Sequence, residues 1–497
     1  MTKIKQSNLW QVFLSAVCLA LLLYTAVWAQ TPTAGQINPQ AVDAYLSESV
    51  QKYHLSGASV SIVKDGKVLF LKGYGQADNN RAVSPQTQFY LGSVTKSFTA
   101  LAVMQLVEQG KLELDAPVQR YLPWFQVADM QASKEITIRH LLNHTSGLSE
   151  TTDPGVTDYS PTLTEQIRAM RTARLTAPVG SRYQYDSQNY RTLGLVIETV
   201  SGQSYADYLR DHIFIPLVMN HTTADPDLAP QLAQGYGQVF GWPLAREQPF
   251  EPGALPSGYL ISTAEDLAKF AVSMLDEGRY DGGQLVSPVT LKTMMTPPQG
   301  INSEYGMGWM VTTSADGHKL VLHGGALTSF SSMLMLIPEE KTAYVLLCNQ
   351  NGLIPMFTGL QNIKLGLLDL ALGQAAPANA SFDWLYVVLA LVVLLEVGTQ
   401  IYRLVRLPRW ASRLAQMRPH IIWRDILLDV LVPLILFLGI PSSLNVILGG
   451  SGDWLDAYDL LPDVTLWLFA SFSLSFVRGL LRCVLWARWR QLVSSVA

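Results

Sequence analysis

A serine and a lysine stand three positions apart at the head of an otherwise apolar segment, YLGSVTKSFTALAVMQLVEQG (residues 90–110). The segment predicts a helix that ends at Gly110, and side chains at positions i and i+3 share one face of a helix. Burial and the positive end of the helix dipole both disfavour an ammonium group, so the pKa of Lys96 is expected to fall. A neutral Lys96 could accept the proton of the Ser93 hydroxyl and so activate that hydroxyl as a nucleophile.

The Ser-x-x-Lys spacing is weak evidence by itself, because the chain contains it three times. Ser49–Lys52 lies in an early helical pattern whose polar face would keep the lysine in water. Ser61–Lys64 lies on a predicted strand, where residues three apart point to opposite faces. Only the third pair opens a helix. On these residues alone, Ser93 could also be a simple helix cap, with the Lys96 amine extended into solvent.

The elements around the pair predict an α+β fold. A helical pattern at 40–52 precedes two short apolar strands within 58–75, joined at Asp65-Gly66, a strong hairpin signal. Residues 135–280 are mostly helix and loop, and three further strands are expected within 317–325, 331–338 and 342–349. Strands at both ends with helices between them imply an antiparallel sheet flanked by helices, plus a helical lobe.

Several stretches in one order resemble the serine β-lactamase and penicillin-binding family, in its branch of class C β-lactamases, D-peptidases and esterases. The resemblance covers about Gln40 to Asn349. The stretches that carry it, besides the Ser93 helix, are ITIRHLLNHTSGL (136–148), YQYDSQNY (183–190), FIPLVMNHT (214–222), PSGYLISTAEDLAKF (256–270) and LVLHGGALTSF (320–330).

The resemblance implies a mechanism of acyl transfer through a serine ester, without a metal or other cofactor. Ser93 matches the nucleophile, Lys96 its lysine partner, and Tyr185 the tyrosine that exchanges protons with the serine and the leaving group. The backbone N–H groups of Ser93 and Ala326 would form the oxyanion hole. In the family the HTSG stretch is mostly architectural, so His144 is assigned no chemistry.

The substrate-binding positions implied by the family are Ser187, His323, Gly324 and Gly325. Two of them depart from the usual pattern. Ser187 stands where an asparagine amide usually contacts the substrate, and His323 stands where a lysine would hold a substrate carboxylate. Both changes disfavour a β-lactamase and a strict requirement for a free carboxylate, without excluding either activity.

Composition excludes some classes of protein and places the chain at a membrane. The chain has 497 residues, 49% hydrophobic and 15% charged, with a net charge of −4. That charge gives no basic footprint for nucleic acid. Residues 1–29 are typical of a secretory signal peptide, with an uncleaved N-terminal anchor as the alternative. Cys348 is alone in the exported body, which excludes a disulfide framework there.

The C-terminal region predicts a three-helix transmembrane domain, residues 383–497, after a linker at 373–382. The spans are expected at about 384–402, 426–448 and 460–480. The connection at 403–424 carries six arginines, so the positive-inside rule places it in the cytoplasm. The hydrolase domain, 30–372, is then expected on the periplasmic or extracellular side of a bacterial cytoplasmic membrane. Glu396, inside the first span, and Arg478, at the cytoplasmic end of the third, are hypothesised to pair, with separate contacts to a water-filled edge as the alternative.

The membrane domain, the Tyr-x-Ser motif and the His-Gly-Gly motif together resemble the prodrug-activating peptidase of colibactin maturation, which removes an N-acyl-D-asparagine cap. The substrate-contacting histidine of that enzyme, near the PSGYL stretch, has no evident counterpart here. The expected substrate is therefore an acylated small peptide or a peptidoglycan-like molecule, cleaved beside a D-amino acid. A D-Ala-D-Ala carboxypeptidase, an esterase, and a non-catalytic sensor of β-lactams or peptidoglycan remain alternatives.

Overall fold

A computed structural model describes residues 36–150, 162–377, 384–448 and 454–496. The predicted signal peptide at 1–29 lies outside these residues. The strands are β1 (Gly57–Lys64), β2 (Lys67–Gly75), β3 (Phe89–Tyr90), β4 (Tyr236–Val239), β5 (Trp242–Ala245), β6 (Ile261–Ser262), β7 (Arg279–Tyr280), β8 (Gly283–Gln284), β9 (Met310–Thr313), β10 (Lys319–Ala326), β11 (Ser331–Ile337) and β12 (Thr342–Cys348).

Helices alternate with these strands and continue beyond them. They are α1 (Pro39–Lys52), α2 (Thr95–Glu108), α3 (Met130–Glu135), α4 (Ile138–Leu142), α5 (Leu163–Ala169), α6 (Ser187–Ser201), α7 (Tyr205–Leu209), α8 (Leu255–Gly258), α9 (Ala264–Leu275), α10 (Pro288–Met294), α11 (Leu353–Phe357), α12 (Gly359–Ala371), α13 (Trp384–Val405), α14 (Leu407–Ala411), α15 (Pro419–Leu448), α16 (Trp454–Leu460) and α17 (Pro462–Val496). Short 3₁₀ turns join several of them.

An antiparallel sheet of six strands, in the order β2-β1-β12-β11-β10-β9, organises the body. The β1–β2 hairpin turns at Asp65 and Gly66, which both have positive φ. The first strand of the body pairs directly with its last, Ala58 opposite Cys348. The two ends of the body therefore close one sheet, as the sequence predicts.

Both faces of the sheet are covered by helices. Alternate residues of a strand point to opposite faces, and along β12 they enter two separate cores. Tyr344 and Leu346 pack in the core that includes α1 and α12. Val345 and Leu347 pack in the larger core that includes α2, α6 and α9. The fold is thus an antiparallel sheet between helical layers with a helical lobe, the α+β arrangement expected.

The strand β10 approaches the turn before α2 very closely. This turn carries Ser93, so the contact positions the predicted nucleophile. Ser332, on the neighbouring strand β11, donates its hydroxyl to the carbonyl of Leu91 at 2.6 Å. A Cβ on Gly325 would lie 2.0 Å from the Leu91 oxygen and 2.3 Å from Ser332 Oγ. A Cβ on Gly324 would meet nothing nearer than 3.5 Å, at Met333. Only one of the two adjacent glycines is therefore required for this approach.

Two helices in the described part of the C-terminal region are long and apolar enough to cross a membrane, Leu385–Val405 and Pro462–Ser495. They match the first and third predicted spans. The middle prediction, 426–448, is not supported in the same way. It lies within α15, whose first half carries Arg424, Asp425 and Asp429 and whose side chains beyond 440 lie outside the described residues.

The hypothesised Glu396–Arg478 pair is wrong. Arg478 pairs instead with Asp429 of α15, through Nε at 2.8 Å and Nη2 at 2.6 Å. Glu396 accepts hydrogen bonds from Gln400, at 2.8 Å, and from Ser471. Gln400 also accepts from Arg478, so an amide bridges the two charges. A buried guanidinium favours a carboxylate that can accept two parallel bonds, and Asp429 has that geometry.

The adjacent glycines of β10 provide a matched test of the close approach. Gly325→Ala is expected to destabilise the folded body by about 2 kcal/mol or more, because its methyl group overlaps the Leu91 carbonyl. Gly324→Ala is the control and should leave Tm close to that of the wild type. Thermal unfolding of both variants measures the difference, and equal Tm values would contradict the contact.

Candidate active site

Ser93 lies in a single 3₁₀ turn, Gly92–Val94, immediately before α2. Gly92 has φ +52°, and a Cβ there would lie 2.6 Å from the backbone nitrogen of Ala326. Only glycine fits this left-handed position beside another backbone. The turn therefore brings the backbone at Gly92 and Ser93 next to Ala326 at the end of β10. An oxyanion hole is built from backbone N–H groups that lie close to the nucleophile in this way.

Lys96 is fully buried in the first turn of α2, below Ser93. Its Nζ lies 3.0 Å from Ser93 Oγ, 2.7 Å from the carbonyl oxygen of Ser257 and 3.4 Å from Ser187 Oγ. A neutral amine has two N–H groups and one lone pair. The Ser257 carbonyl and the Ser187 hydroxyl can accept the two N–H groups, which leaves the lone pair for the Ser93 proton.

Burial lowers the pKa of Lys96 from its usual 10.5 to about 7. The carboxylates of Glu150 and Asp186 oppose this shift, and the Arg191 guanidinium adds to it. Desolvation outweighs the nearby carboxylates because the amine has no contact with water. A substantial fraction of Lys96 is therefore uncharged at neutral pH and able to act as a base.

Tyr185 completes a triad with the two residues. Its hydroxyl interacts with the Ser93 side chain, which partly opposes the rise of its pKa, and its ring centroid lies 4.9 Å from Lys96 Nζ. Burial raises the pKa of Tyr185 well above its usual range, so the side chain is a phenol at neutral pH. Asp186 caps the N-terminus of α6 through the Gln188 N–H, at 2.7 Å, and so fixes the backbone directly after Tyr185. The structure thus brings together the three residues predicted to be catalytic.

His144 lies directly behind Tyr185, although no sequence pattern predicted a role for it in the site. The two ring centroids are 4.4 Å apart, and His144 is fully buried. Its Nδ1 accepts the backbone N–H of Asp186 at 3.2 Å and the amide of Asn189 at 3.0 Å. Two donors on Nδ1 place the ring proton on Nε2. Burial, together with the charge of Lys96, holds the pKa of His144 well below its usual value, so the ring is neutral.

His323 is closed off from the cleft. It is 3% exposed, its Nε2 accepts the Tyr305 hydroxyl at 2.9 Å, and its Nδ1 lies 2.8 Å from the Gly324 carbonyl. Burial lowers the pKa of His323 to about 3, with a smaller contribution from Lys96. The imidazole is therefore neutral. At the position where relatives have a lysine, this strand presents no fixed positive charge. Tyr305, which seals the ring, was not identified from the sequence.

The remaining predicted substrate positions, Gly324 and Gly325, lie on β10 beside the Ser93 turn. Ser187, predicted to face the substrate, is also one of the groups around the Lys96 amine. Among the described residues, no group of three or more His, Cys, Asp or Glu side chains could hold a metal ion.

Comparison with known proteins identifies the family to which the chain belongs. The sequence profile of the family described as Beta-lactamase matches residues 42–363. The chain belongs to the Beta-lactamase family. Protein flp of Staphylococcus aureus (strain MW2) is 31% identical over 440 residues, 85% of this chain and 86% of its own length. The residues before α13 make up less than 85% of the chain, so the aligned region must include part of the C-terminal helices.

Solved structures of the same family share the fold. The octameric penicillin-binding protein homologue from Pyrococcus abyssi is 29% identical with a TM-score of 0.59, over 71% of this chain and 81% of that one. D-amino acid amidase from Ochrobactrum anthropi SV3 is 26% identical with a TM-score of 0.54, over 63% of this chain and 91% of that one. The protein is a serine hydrolase of this family.

The buried amine predicts a pH-dependent stability difference. The folded state of the wild type must keep Lys96 in a site that disfavours its charge, so its stability rises as pH increases from about 7 to about 10. Lys96→Met removes that cost and is expected to raise Tm by about 5 °C near pH 6, with a smaller gain near pH 10.

Thermal unfolding at the two pH values measures the gap between Lys96→Met and the wild type. Lys111→Met, which removes an exposed lysine after α2, is the matched control and should change Tm at neither pH. A gain that is equal at both pH values would show that the amine is not held uncharged by the fold.

His144 is expected to position Tyr185. His144→Phe keeps an aromatic ring behind Tyr185 but removes the acceptor for the Asp186 N–H, so kcat should fall about tenfold or more with little change in KM. His140→Phe is the matched control, because His140 Nδ1 accepts the backbone N–H of Thr137 at the same 3.2 Å, away from the site. Similar losses of Tm in both variants with a loss of kcat in only the first would confirm positioning. Equal kcat values would contradict it.

Proposed function

We propose that the protein is a membrane-attached serine amidase or peptidase that cleaves beside a D-amino acid through an acyl-enzyme on Ser93. The observation that carries the proposal is the buried Lys96 amine, with a pKa lowered to about 7, at 3.0 Å from Ser93 Oγ. A buried lysine that serves only packing would gain nothing from this contact, because an apolar side chain would fill the space at lower cost.

Acylation follows from the protonation states of the triad. Lys96 accepts the Ser93 proton as Oγ attacks the substrate carbonyl, and the N–H groups of Ser93 and Ala326 stabilise the oxyanion. Tyr185, a phenol, donates its proton to the leaving amine nitrogen as the C–N bond breaks. The proton on Lys96 then returns to the Tyr185 oxygen. The amine product leaves, and the acyl group remains as an ester on Ser93.

Deacylation reverses the proton path. A water molecule enters the space left by the amine and gives a proton to the neutral Lys96 as its oxygen attacks the ester carbonyl. The Ser93–acyl bond breaks, the proton passes back to Ser93 Oγ, and the acid product leaves. No step changes the charge of His144 or His323, whose pKa values are both too low for them to act as bases here.

The closed His323 supports the choice of substrate. A carboxypeptidase benefits from a cation that holds the carboxylate of the leaving residue, and His323 is neutral and hydrogen-bonded to Tyr305. An amide without a free carboxylate loses nothing at this position. The structural neighbour described as a D-amino acid amidase supports a D-configured residue at the scissile bond. An N-acyl-D-aminoacyl amide combines these features, with a D-Ala-D-Ala carboxypeptidase or an esterase as the alternatives.

Membrane attachment and sidedness are also part of the proposal. The N-terminal ends of α13 and α17 both contact the body, through Tyr386 and Asp463, which supports their lying on the same side of the bilayer as the catalytic domain. The arginines at 403–424 follow the far end of α13, as expected for a cytoplasmic connection. Two helices that start on the same side require an intervening crossing, and α15 is the segment available for it.

The test uses full-length protein in nanodiscs with three kinds of substrate: N-acyl-D-aminoacyl amides, their L-epimers, and N-acyl-D-Ala-D-Ala with a free carboxylate. The D-amides should be hydrolysed at least about tenfold faster in kcat/KM than either comparison. Ser93→Ala should abolish both turnover and labelling by a fluorophosphonate. Ser61→Ala is the matched control, since Ser61 heads another Ser-x-x-Lys pair and its buried hydroxyl has no partner in the described residues.

Two outcomes would overturn the proposal. Preference for the free carboxylate would favour a carboxypeptidase. Labelling that depends on Ser93, without turnover of any of the three substrates or of a simple ester, would favour a sensor that is acylated but does not catalyse.

A further inference from the structure

The β4–β5 hairpin of the body meets the first turns of α13 and α17, the two described helices that are long and apolar enough to cross a membrane. The Tyr386 hydroxyl, in α13, donates to Gln238 Oε1 at 2.8 Å. The Asp463 carboxylate, in α17, accepts the backbone N–H of Phe240 at the hairpin turn. A Cβ on Gly241 would lie 3.5 Å from the Tyr386 ring, so the turn rests on that ring.

A third contact lies just after the hairpin. Arg246 forms an ion pair with Asp459 of α16 and donates from Nη1 to the Asp459 carbonyl at 3.0 Å. Its guanidinium also lies 5.4 Å from the centroid of the Tyr458 ring. Three separate contacts therefore fix the position of the hairpin along the axes of α13 and α17, level with the N-terminal ends of both helices.

The outer strand of the hairpin presents apolar side chains to the surroundings at that height. All four residues of β5 are exposed, with Trp242 at 63% and Leu244 at 50%. Residues two apart on a strand point the same way. The indole of Trp242 stacks on the His54 ring at 4.1 Å, which limits its rotation and leaves its other face open.

A lipid surface fits this patch better than a protein partner does. Two side chains are far too few for a stable protein interface, which needs roughly 800 Å² on each partner. Trp is enriched at the boundary between lipid headgroups and acyl chains, where its ring is apolar and its N–H can stay hydrated. The patch also lies beside residues 385 and 462, where the two apolar helices begin.

We propose that the β4–β5 hairpin is an interfacial membrane anchor, in which Trp242 and Leu244 insert at the headgroup–acyl boundary of the leaflet facing the catalytic domain. This inference rests on the membrane attachment proposed above. The anchor would fix the tilt of the catalytic domain and its distance from the bilayer surface. The active site around Ser93 would then stay at a constant distance from the lipid headgroups.

Fluorescence quenching by lipids tests the depth of position 242 in the bilayer. Full-length protein with Cys18 and Cys483 replaced by serine keeps Cys348, which is fully buried. A single cysteine labelled with an environment-sensitive fluorophore is placed at position 242, 395 or 289, by Trp242→Cys, Leu395→Cys or Val289→Cys. Nanodiscs contain phosphatidylcholine that carries a doxyl quencher either high or deep in its acyl chain.

The two other positions are controls. Leu395 lies in the middle of α13 and is 74% exposed, so its label reports whether that helix is in the bilayer. Val289 is 76% exposed on α10, which packs against α2 in the body, so its label reports quenching without insertion. Position 242 should lose about half of its emission with the shallow quencher and less with the deep one, as expected for insertion of ~5–10 Å. Position 289 should lose almost none.

The outcomes separate this inference from the function on which it rests. If position 395 is quenched and position 242 behaves like position 289, the anchor is wrong and membrane attachment stands. If position 395 is not quenched either, the proposed attachment fails with it. Thermal unfolding of each labelled protein confirms that the body is folded in every case.

Discussion

The uncharged amine of Lys96, held against the hydroxyl of Ser93, is the interaction on which the site depends. Removing the amine from water destabilises the folded state. Two polar contacts, with the Ser257 carbonyl and the Ser187 hydroxyl, offset part of this loss. Every residue of α2 from Thr95 to Leu106 is buried, so the helix cannot turn to bring the amine to the surface. Because α2 holds Lys96 in this buried position, the pKa of the amine stays low enough for it to act as a base near neutral pH.

Three basic groups lie in this region, Lys96, His144 and His323, and their different pKa values decide where a proton can go. Burial lowers the pKa of His144 and His323, and the charge of Lys96 lowers both further. A proton that leaves Ser93 therefore resides on Lys96, the group with the highest affinity for it. Each imidazole instead works through its hydrogen bonds: His144 orders the backbone after Tyr185, and His323 holds Tyr305.

Much of the sheet and of the triad could be predicted from local sequence patterns. The strands expected within 317–325, 331–338 and 342–349 appear as β10, β11 and β12, because alternating apolar residues and turn signals define them. The triad residues Ser93, Lys96 and Tyr185 were accessible through motif spacing and family resemblance.

What the sequence could not supply depends on tertiary packing. The β4–β5 hairpin was missed because its turn uses Phe240 with φ +47°, where hairpins usually have Asn, Asp or Gly. The partner of His323, Tyr305, is eighteen positions away in the chain, and no local pattern links the two. The ion pair between Arg478 and Asp429 likewise depends on how α15 and α17 pack against each other.

The buried imidazole of His323 on β10 also bears on how a protein of this type would respond to penicillin. Penicillins carry a carboxylate, which a lysine on this strand would attract as a fixed positive charge. Here that position holds the neutral ring of His323, which is hydrogen-bonded to Tyr305. A penicillin that approaches Ser93 therefore meets no positive charge there to bind its carboxylate. Radiolabelled penicillin is therefore expected to under-report a hydrolase with this strand, even where its serine is fully reactive.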